Sequence, residues 1–286
     1  RLTVIKGPQS VRWGAGASAG TVRFERDTPR FSEPGMELQA SALAGSNGRN
    51  DQVLDASVGS TPGYMRVNGN RSESGDYRDG NGDVVPSRWR KWNADAAIGW
   101  TPDADTVLEL SAGTGDALAR YAGRGMDGAA FKRSSYGLRV ERGNLPGAWD
   151  KLQANLYANT ADHVMDNYTL RTPNPHGSMP MAMASNVEGR TRGGRIASEW
   201  RWQDVAIIAG IDAQDSRHRK RSGMRGMWQQ KAWVRDADLD SRGLFAELTL
   251  GEERPVRWIG GLRIDHAEAT DLRQTGGMMD MTNPTD

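Results

Sequence analysis

The sequence predicts an all-β protein whose antiparallel strands form a barrel in a membrane. Three observations carry this expectation. Apolar residues recur with a period of two over most of the chain, short turns alternate with long polar connections, and aromatic residues collect beside the short turns. Together these form the pattern of a transmembrane β-barrel.

Composition narrows the alternatives. The 286 residues carry 37 basic and 36 acidic groups, a formal net charge of +1. That balance leaves no basic footprint for nucleic acid. Mean hydropathy is −0.69, only 37% of residues are apolar and 35 are glycine, a poor recipe for a helical core. No apolar run has the length of a transmembrane helix. The 10 Trp, 6 Tyr and 4 Phe are spaced regularly, which argues against disorder. Cysteine is absent, so there is no disulfide framework. No signal peptide is visible, since Arg1 opens directly into Leu-Thr-Val-Ile. With the strand pattern below, the expectation is a fragment of a longer exported protein.

Residues 1–30 read differently from the rest. Short strands at Leu2–Ile5 and Thr21–Glu25 flank a Gly/Ala-rich turn. Gly14, Gly16 and Gly20 invite comparison with a nucleotide-binding loop. Such a loop needs a buried strand before it and a helix after it, and here a second polar-alternating strand follows.

From Glu37 to about Leu272 the chain reads as about eleven strands. Trp92, Ala94, Ala96, Ile98 and Trp100 alternate with Asn93 and Asp95, and Leu108, Leu110 and Ala112 with Glu109 and Ser111. Tyr136, Leu138 and Val140 alternate with Arg139 and Glu141. The clearest case is residues 150–170, where Leu152, Ala154, Leu156, Ala158 and Val164 hold even positions and Gln153, Asn155, Asn159 and Asn167 odd ones. Ile196, Trp200 and Trp202, then Leu244, Ala246 and Leu248, then Trp258, Leu262 and Ile264 repeat the pattern. Each strand thus has one apolar and one polar face.

A soluble sandwich shares that alternation, and the connections weigh against it. Short turns fall at Thr61-Pro62-Gly63, Pro102–Asp105, Gly143–Gly147, Gln203-Asp204 and Gly251–Pro255. Long polar connections are expected near 74–87, 116–131, 172–189, 216–230 and from 271 onward. Tyr64, Trp100, Trp149, Trp202 and Trp258 beside the short turns form the expected interfacial girdle. An odd set of strands leaves an open edge, which lipid does not tolerate, so the barrel is expected to continue past Asp286.

Lys6-Gly7-Pro8-Gln9-Ser10, then Gly14, Gly16, Ala17, Ala19-Gly20-Thr21 and Val22, resembles the last plug motif of TonB-dependent outer-membrane receptors. The resemblance implies a small globular plug inside a barrel of about 22 strands. Residues 1–33 would be the C-terminal end of the plug and residues 34–286 the N-terminal half of the barrel, with about 11 strands. Residues 16–26, Gly-Ala-Ser-Ala-Gly-Thr-Val-Arg-Phe-Glu-Arg, resemble the copper-receptor branch of the family.

Soft ligands occur in two places. His163 and Met165 are i and i+2 on one strand, so they share the polar, lumen face, with side-chain roots ~7 Å apart. Both long side chains reach one ion from there, and Cu(I) favours imidazole and thioether ligands. A histidine on a lumen wall is also often only a polar residue. The resemblance implies more: copper receptors of this group bind through a CxxxM motif in the plug and an HxM motif in the barrel, and His163-Val164-Met165 matches the latter. The second place is the loop Pro175–Met183, where Met179, Met181 and Met183 stand beside His176. This suits transient Cu(I) capture, or simply a loop in which Met fills gaps. Met224, Met227, Met278, Met279 and Met281 are also expected in external loops, with Met65 the exception at a strand start. His218 and His266 read as ordinary residues near strand ends. Asp162, Asp166, Asp236, Asp238 and Asp240 do not follow the calcium-loop pattern.

No Cys nucleophile, GxSxG or HExxH is present, so no enzymatic activity and no catalytic cofactor are expected. The expected function is TonB-dependent import of copper ions across the outer membrane of a Gram-negative bacterium, by binding and gating. The expected partners are the inner-membrane TonB complex, lipid and lipopolysaccharide, and copper; no nucleic acid is expected. The alternative cargo is an iron–siderophore complex. From another class, the alternatives are a passive porin, disfavoured by the plug tail, or a surface adhesin or phage receptor.

Overall fold

Alternating polar and apolar residues place the two faces of each strand in different media, and the observed burial states which face meets which. The computed structural model describes residues 2–6, 8–14, 20–252 and 254–273. The opening hairpin pairs β1 (Leu2–Ile5) with β2 (Thr21–Phe24), separated by a helical turn at Pro8–Trp13. A single 11-stranded antiparallel sheet follows. It comprises β3 (Gly35–Gly45), β4 (Arg49–Ser60), β5 (Gly63–Ser74), β8 (Trp89–Trp100), β9 (Thr106–Ala119), β10 (Asp127–Gly143), β11 (Trp149–Asp166), β12 (Met183–Trp202), β13 (Val205–Met224), β14 (Val234–Leu250) and β15 (Trp258–Asp271). Each strand pairs with its chain neighbour, except that a small hairpin, β6 (Tyr77–Arg78) with β7 (Val84–Val85), lies between β5 and β8.

Burial runs opposite to that of a soluble sandwich. On β14, Phe245 and Glu247 are 1% and 4% exposed, while Leu244 and Leu248 are 56% and 40% exposed. On β9, Val107 and Glu109 are buried while Leu108 and Leu110 are exposed. The continuous aliphatic face therefore points away from the protein, and carboxylates point inward. Water would not tolerate that arrangement, and lipid requires it.

The register supplies the tilt. Trp100 pairs with Leu108, Leu108 with Val140, Val140 with Ala154, and Ala154 with Ile196. Trp100 adjoins a short turn, yet its row reaches β12 six residues above Trp202, which adjoins the next-but-one short turn. Six residues are roughly 20 Å of strand and four strand spacings roughly 19 Å, so the strands lean about 45° from the barrel axis. The sheet is thus a sheared barrel wall with β3 and β15 at its edges.

Two expectations need correction. Trp100, Trp149, Trp202 and Trp258 face outward as a girdle, but Tyr64 is buried and donates its hydroxyl to Glu109 on the inner face. Tyr64 has the parity opposite to the outward Met65 and Val67. The long connections are also shorter than expected, spanning 120–126, 167–182 and 225–233. Residues 116–119, 127–131, 183–189 and 216–224 are strand. Above the lipid both faces are wet, so hydropathy alternation ends while the backbone ladder continues. A further connection on the long-loop side, residues 46–48, is short.

The opening segment packs on the inner wall. Trp13 lies between the guanidinium groups of Arg23 and Arg195, 3.7 and 4.5 Å from its ring centre. Arg12 pairs with Glu247 at 3.4 Å, and Arg263 donates to the Val11 carbonyl at 3.4 Å. The following residues are held by Arg66, which donates to the Asp27 carbonyl, and Arg139, which donates to Thr28 Oγ1.

Candidate functional site

The long-loop end of β11 carries the soft-donor pair. Leu156 faces outward, and Tyr157 faces inward, where its hydroxyl donates to Gln214 at 2.9 Å. His163 and Met165 share the parity of Tyr157, and the pairing of β11 with β12 runs without a break from Lys151 to Asp166. Both residues therefore stand on the inner face.

Neighbouring strands shape the pair. His163 lies opposite Phe131 on β10, and their rings stack at a centroid distance of 4.2 Å and an interplanar angle of 28°. Met165 lies opposite Gly128, with a register shift between Gly128 and Ala130. A Cβ at Gly128 would sit 2.0 Å from the Phe131 ring, so only glycine lets that ring lie flat beside the imidazole. The irregularity lies just beyond Phe131, which keeps the inward parity of Arg133 and Arg139 and meets His163 in regular register. Behind the strand, fully buried Asn186 donates to the His163 carbonyl at 3.2 Å and to Asp162 Oδ1, and accepts from Arg221 Nε at 2.9 Å.

With its ring and backbone so placed, the His163 Nε2 is buried and has no hydrogen-bond partner. A buried imidazole nitrogen without a partner is costly, and a soft metal ion is one group that satisfies it. Among the described residues, no cluster of three His, Asp or Glu forms a cage. The pair thus offers a partial ligand set on the inner face.

Buried polar residues order the loops at this end. Asp127 is fully buried, accepts from the Tyr121 N–H at 2.9 Å and pairs with Arg171, whose Nε donates at 2.7 Å. Asn167 donates to the Met179 and Met181 carbonyls at 3.1 and 2.9 Å and accepts from the Met183 N–H at 2.8 Å. The loop carrying the candidate methionines is therefore clamped. The Met179 methyl packs over Gly125, Met181 is exposed, and Met183 opens β12 opposite Met224. His176 is exposed on the same loop. The structure places His176, Met179 and Met181 in this loop and Met183 at the start of β12. Met224 and Met227 are exposed; Met278, Met279 and Met281 lie outside the described residues, as do Gly16, Ala17 and Ala19 of the opening motif. Asp162 and Asp166 bond within the wall and the next turn, and Asp236 and Asp238 pair with Lys220 and Arg235. Phe131, Gly128, Asn167 and Asn186 carry no sequence signal of a role, because each acts through a cross-strand or loop partner.

Comparison with known proteins returned no matching protein-family model and no matching curated protein. Among solved structures, the chain is similar to "Copper transporter OprC", with a TM-score of 0.91 and 54% identity over 96% of this chain and 43% of that one. It is also similar to the FrpB iron transporter from Neisseria meningitidis (F3-3 variant), with a TM-score of 0.69 and 17% identity over 94% and 47% of the two chains. Against the ferric citrate transporter FecA in its unliganded form, the values are 0.65 and 14% over 94% and 43%. These last two bear on the fold alone. The chain spans less than half the length of each of these structures.

Proposed function

The chain belongs to the TonB-dependent outer-membrane receptors, and from that premise we propose that its parent protein imports copper ions across the outer membrane. One observation carries the cargo: a histidine and a methionine share the inner face of β11, with the His163 Nε2 buried and unpartnered. The likeness to a protein described as a copper transporter supports the same reading.

In this reading residues 1–33 are the end of a plug and residues 34–286 the first half of the barrel wall. His163 and Met165 supply two soft ligands from the wall, and the plug supplies the remainder. The exposed Met181, with Met179 and His176 on the same loop and Met183 where the loop enters β12, offers weak sites for capture. The protein works by binding and gating, with no bond chemistry on its cargo. The outer membrane holds neither ATP nor an ion gradient, so release requires work delivered by an inner-membrane partner, the TonB complex. Lipid and lipopolysaccharide cover the outward face, and the near-neutral charge offers nothing to nucleic acid.

An iron–siderophore cargo calls for arginines and aromatics facing the lumen. Arg219 and Arg221 do stack on Trp233, at 4.4 and 4.3 Å, but they share the outward parity of Ile211. That cluster covers the outer face of the wall, and the inward arginine–aromatic group, Arg195 with Trp13 and Phe245, is taken up by the contact between the opening segment and the wall.

The test is metal analysis of the full-length protein. His163→Ala with Met165→Ala is expected to remove tightly held copper, and undiminished copper content would refute the assignment. Ser at Met179, Met181 and Met183 is expected to slow uptake at low external copper and leave the tightly held ion in place. Uptake at the native rate would reduce that loop to packing.

A further inference from the structure

The inner face of the wall repeats one arrangement. A glycine on the middle strand of three lets a long side chain cross it and end on a partner two strands away. Tyr64 crosses Gly99 and donates to Glu109. Arg133 crosses β9 beside Gly113 and donates to Asp95 at 3.0 Å. Tyr157 crosses Gly193 and donates to Gln214 at 2.9 Å. Arg263 crosses Gly243 and donates to Asp212 at 2.7 Å. A Cβ at Gly99, Gly193 or Gly243 would stand 2.1, 2.5 or 2.0 Å from the crossing side chain.

One crossing has no partner at its far end. His218 on β13 has the inward parity of Asp212 and Gln214. The Nδ1–Cε1 edge of its ring lies over Gly189, 3.4 and 3.3 Å from where a Cβ would stand. Beyond Gly189 on β11 is Ala161, which is exposed and has no polar side-chain group. Among the described residues the His218 ring makes no hydrogen bond or ion pair. The polar residues next to this gap on β11 are Asn159 and His163, one inward step to either side of Ala161. Asn159 offers an amide, and His163 offers a buried Nε2 without a partner.

Two strand spacings and two residues of strand put the α-carbons of His163 and His218 about 12 Å apart. The rows climb across the tilted sheet, so the two residues stand about level with each other. Metal–imidazole bonds of about 2 Å on either side add about 4 Å to the reach of the two rings, enough for one ion to join them. Imidazole alone suits borderline divalent ions, whereas the thioether of Met165 favours Cu(I).

We propose that His163 and His218 form a second copper position on the wall, which takes Cu(II) on two imidazoles with water completing the set. The proposal rests on the copper reading above. Both positions use His163, so an ion on the imidazole pair and an ion on His163 with Met165 exclude each other. Divalent copper is therefore held on the pair only while the thioether position is empty.

The experiment strips the full-length protein of metal, titrates it with Cu(II) and counts coordinated imidazoles by pulsed electron paramagnetic resonance. The native protein is expected to show two, His218→Ala and His163→Ala one each, and Met165→Ala both. Native protein first filled with Cu(I), which is silent in this measurement, is expected to lose the two-imidazole signal, a result that does not depend on any variant folding. A native spectrum with at most one imidazole, or an unchanged spectrum in His218→Ala, would overturn the proposal. Tightly held copper, measured on the same preparations, reports the copper reading separately. A native protein that holds it but shows a single imidazole keeps that reading and loses this one.

Discussion

His163 matters less for being a histidine than for the way its ring is held. Asn186 bonds its carbonyl from behind, and Phe131 stacks on its face, with Nε2 buried and without a hydrogen-bond partner. In the proposed copper site Phe131 is therefore a positioning residue. Removing one ring of such a pair costs about 0.5–1.5 kcal/mol. Phe131→Ala is thus expected to weaken copper binding about two- to twelvefold while the barrel stays folded. Competition with a copper chelator, read beside heat-modified migration of the barrel, checks this. Unchanged affinity would mean that the stack is packing only. Glycine at 128 belongs to the same device, since any Cβ there meets the Phe131 ring.

Connections, as elements, are held by buried polar groups more than by apolar contacts. In the 75–88 connection, Asp76 accepts from the N–H groups of Ser87 and Arg88, each at 2.8 Å, and pairs with Arg120. Burial alone would raise its pKa, but the two N–H bonds and the Arg120 charge outweigh it and hold the carboxyl below its ordinary value of 3.8. The sign follows: a depressed carboxyl stabilises the folded connection fully at neutral pH. That contribution fades as pH falls below the ordinary value and is lost once pH drops through the lowered folded one. Amide exchange at residues 84–88 is expected to quicken relative to strand amides between pH 5 and pH 3, with Asp76→Asn flattening the dependence. Equal pH profiles for the two proteins would sink the idea.

At the scale of the whole molecule, one phase decides everything outward and inward. If Leu156 faces lipid, then Tyr157, His163 and Met165 face the lumen. Leu156→Arg is expected to destabilise the folded barrel in bilayers by about 2–4 kcal/mol, because a charge would then sit well inside the apolar band. Urea unfolding of the full-length protein in liposomes measures it. A neutral result would reverse the phase and turn His163 to the lipid.

Much of this was legible in the sequence alone. Strict alternation from Leu152 to Val164 sets the face of every residue on β11, because side-chain direction along a strand depends only on parity. That placed His163 and Met165 together, and about eleven strands match the observed count. The same rule applied to Met65 and Val67 would have turned Tyr64 inward. Other features depend on partners distant in sequence. The register shift at Gly128, where the missing Cβ leaves room for the Phe131 ring, exists only where β10 meets β11 and β9. The strand ends at 183–189 and 216–224 are held by pairing with each other, after hydropathy contrast has vanished. Local alternation fixes a residue's face; its neighbours and its depth come from register and shear, which only the assembled wall decides.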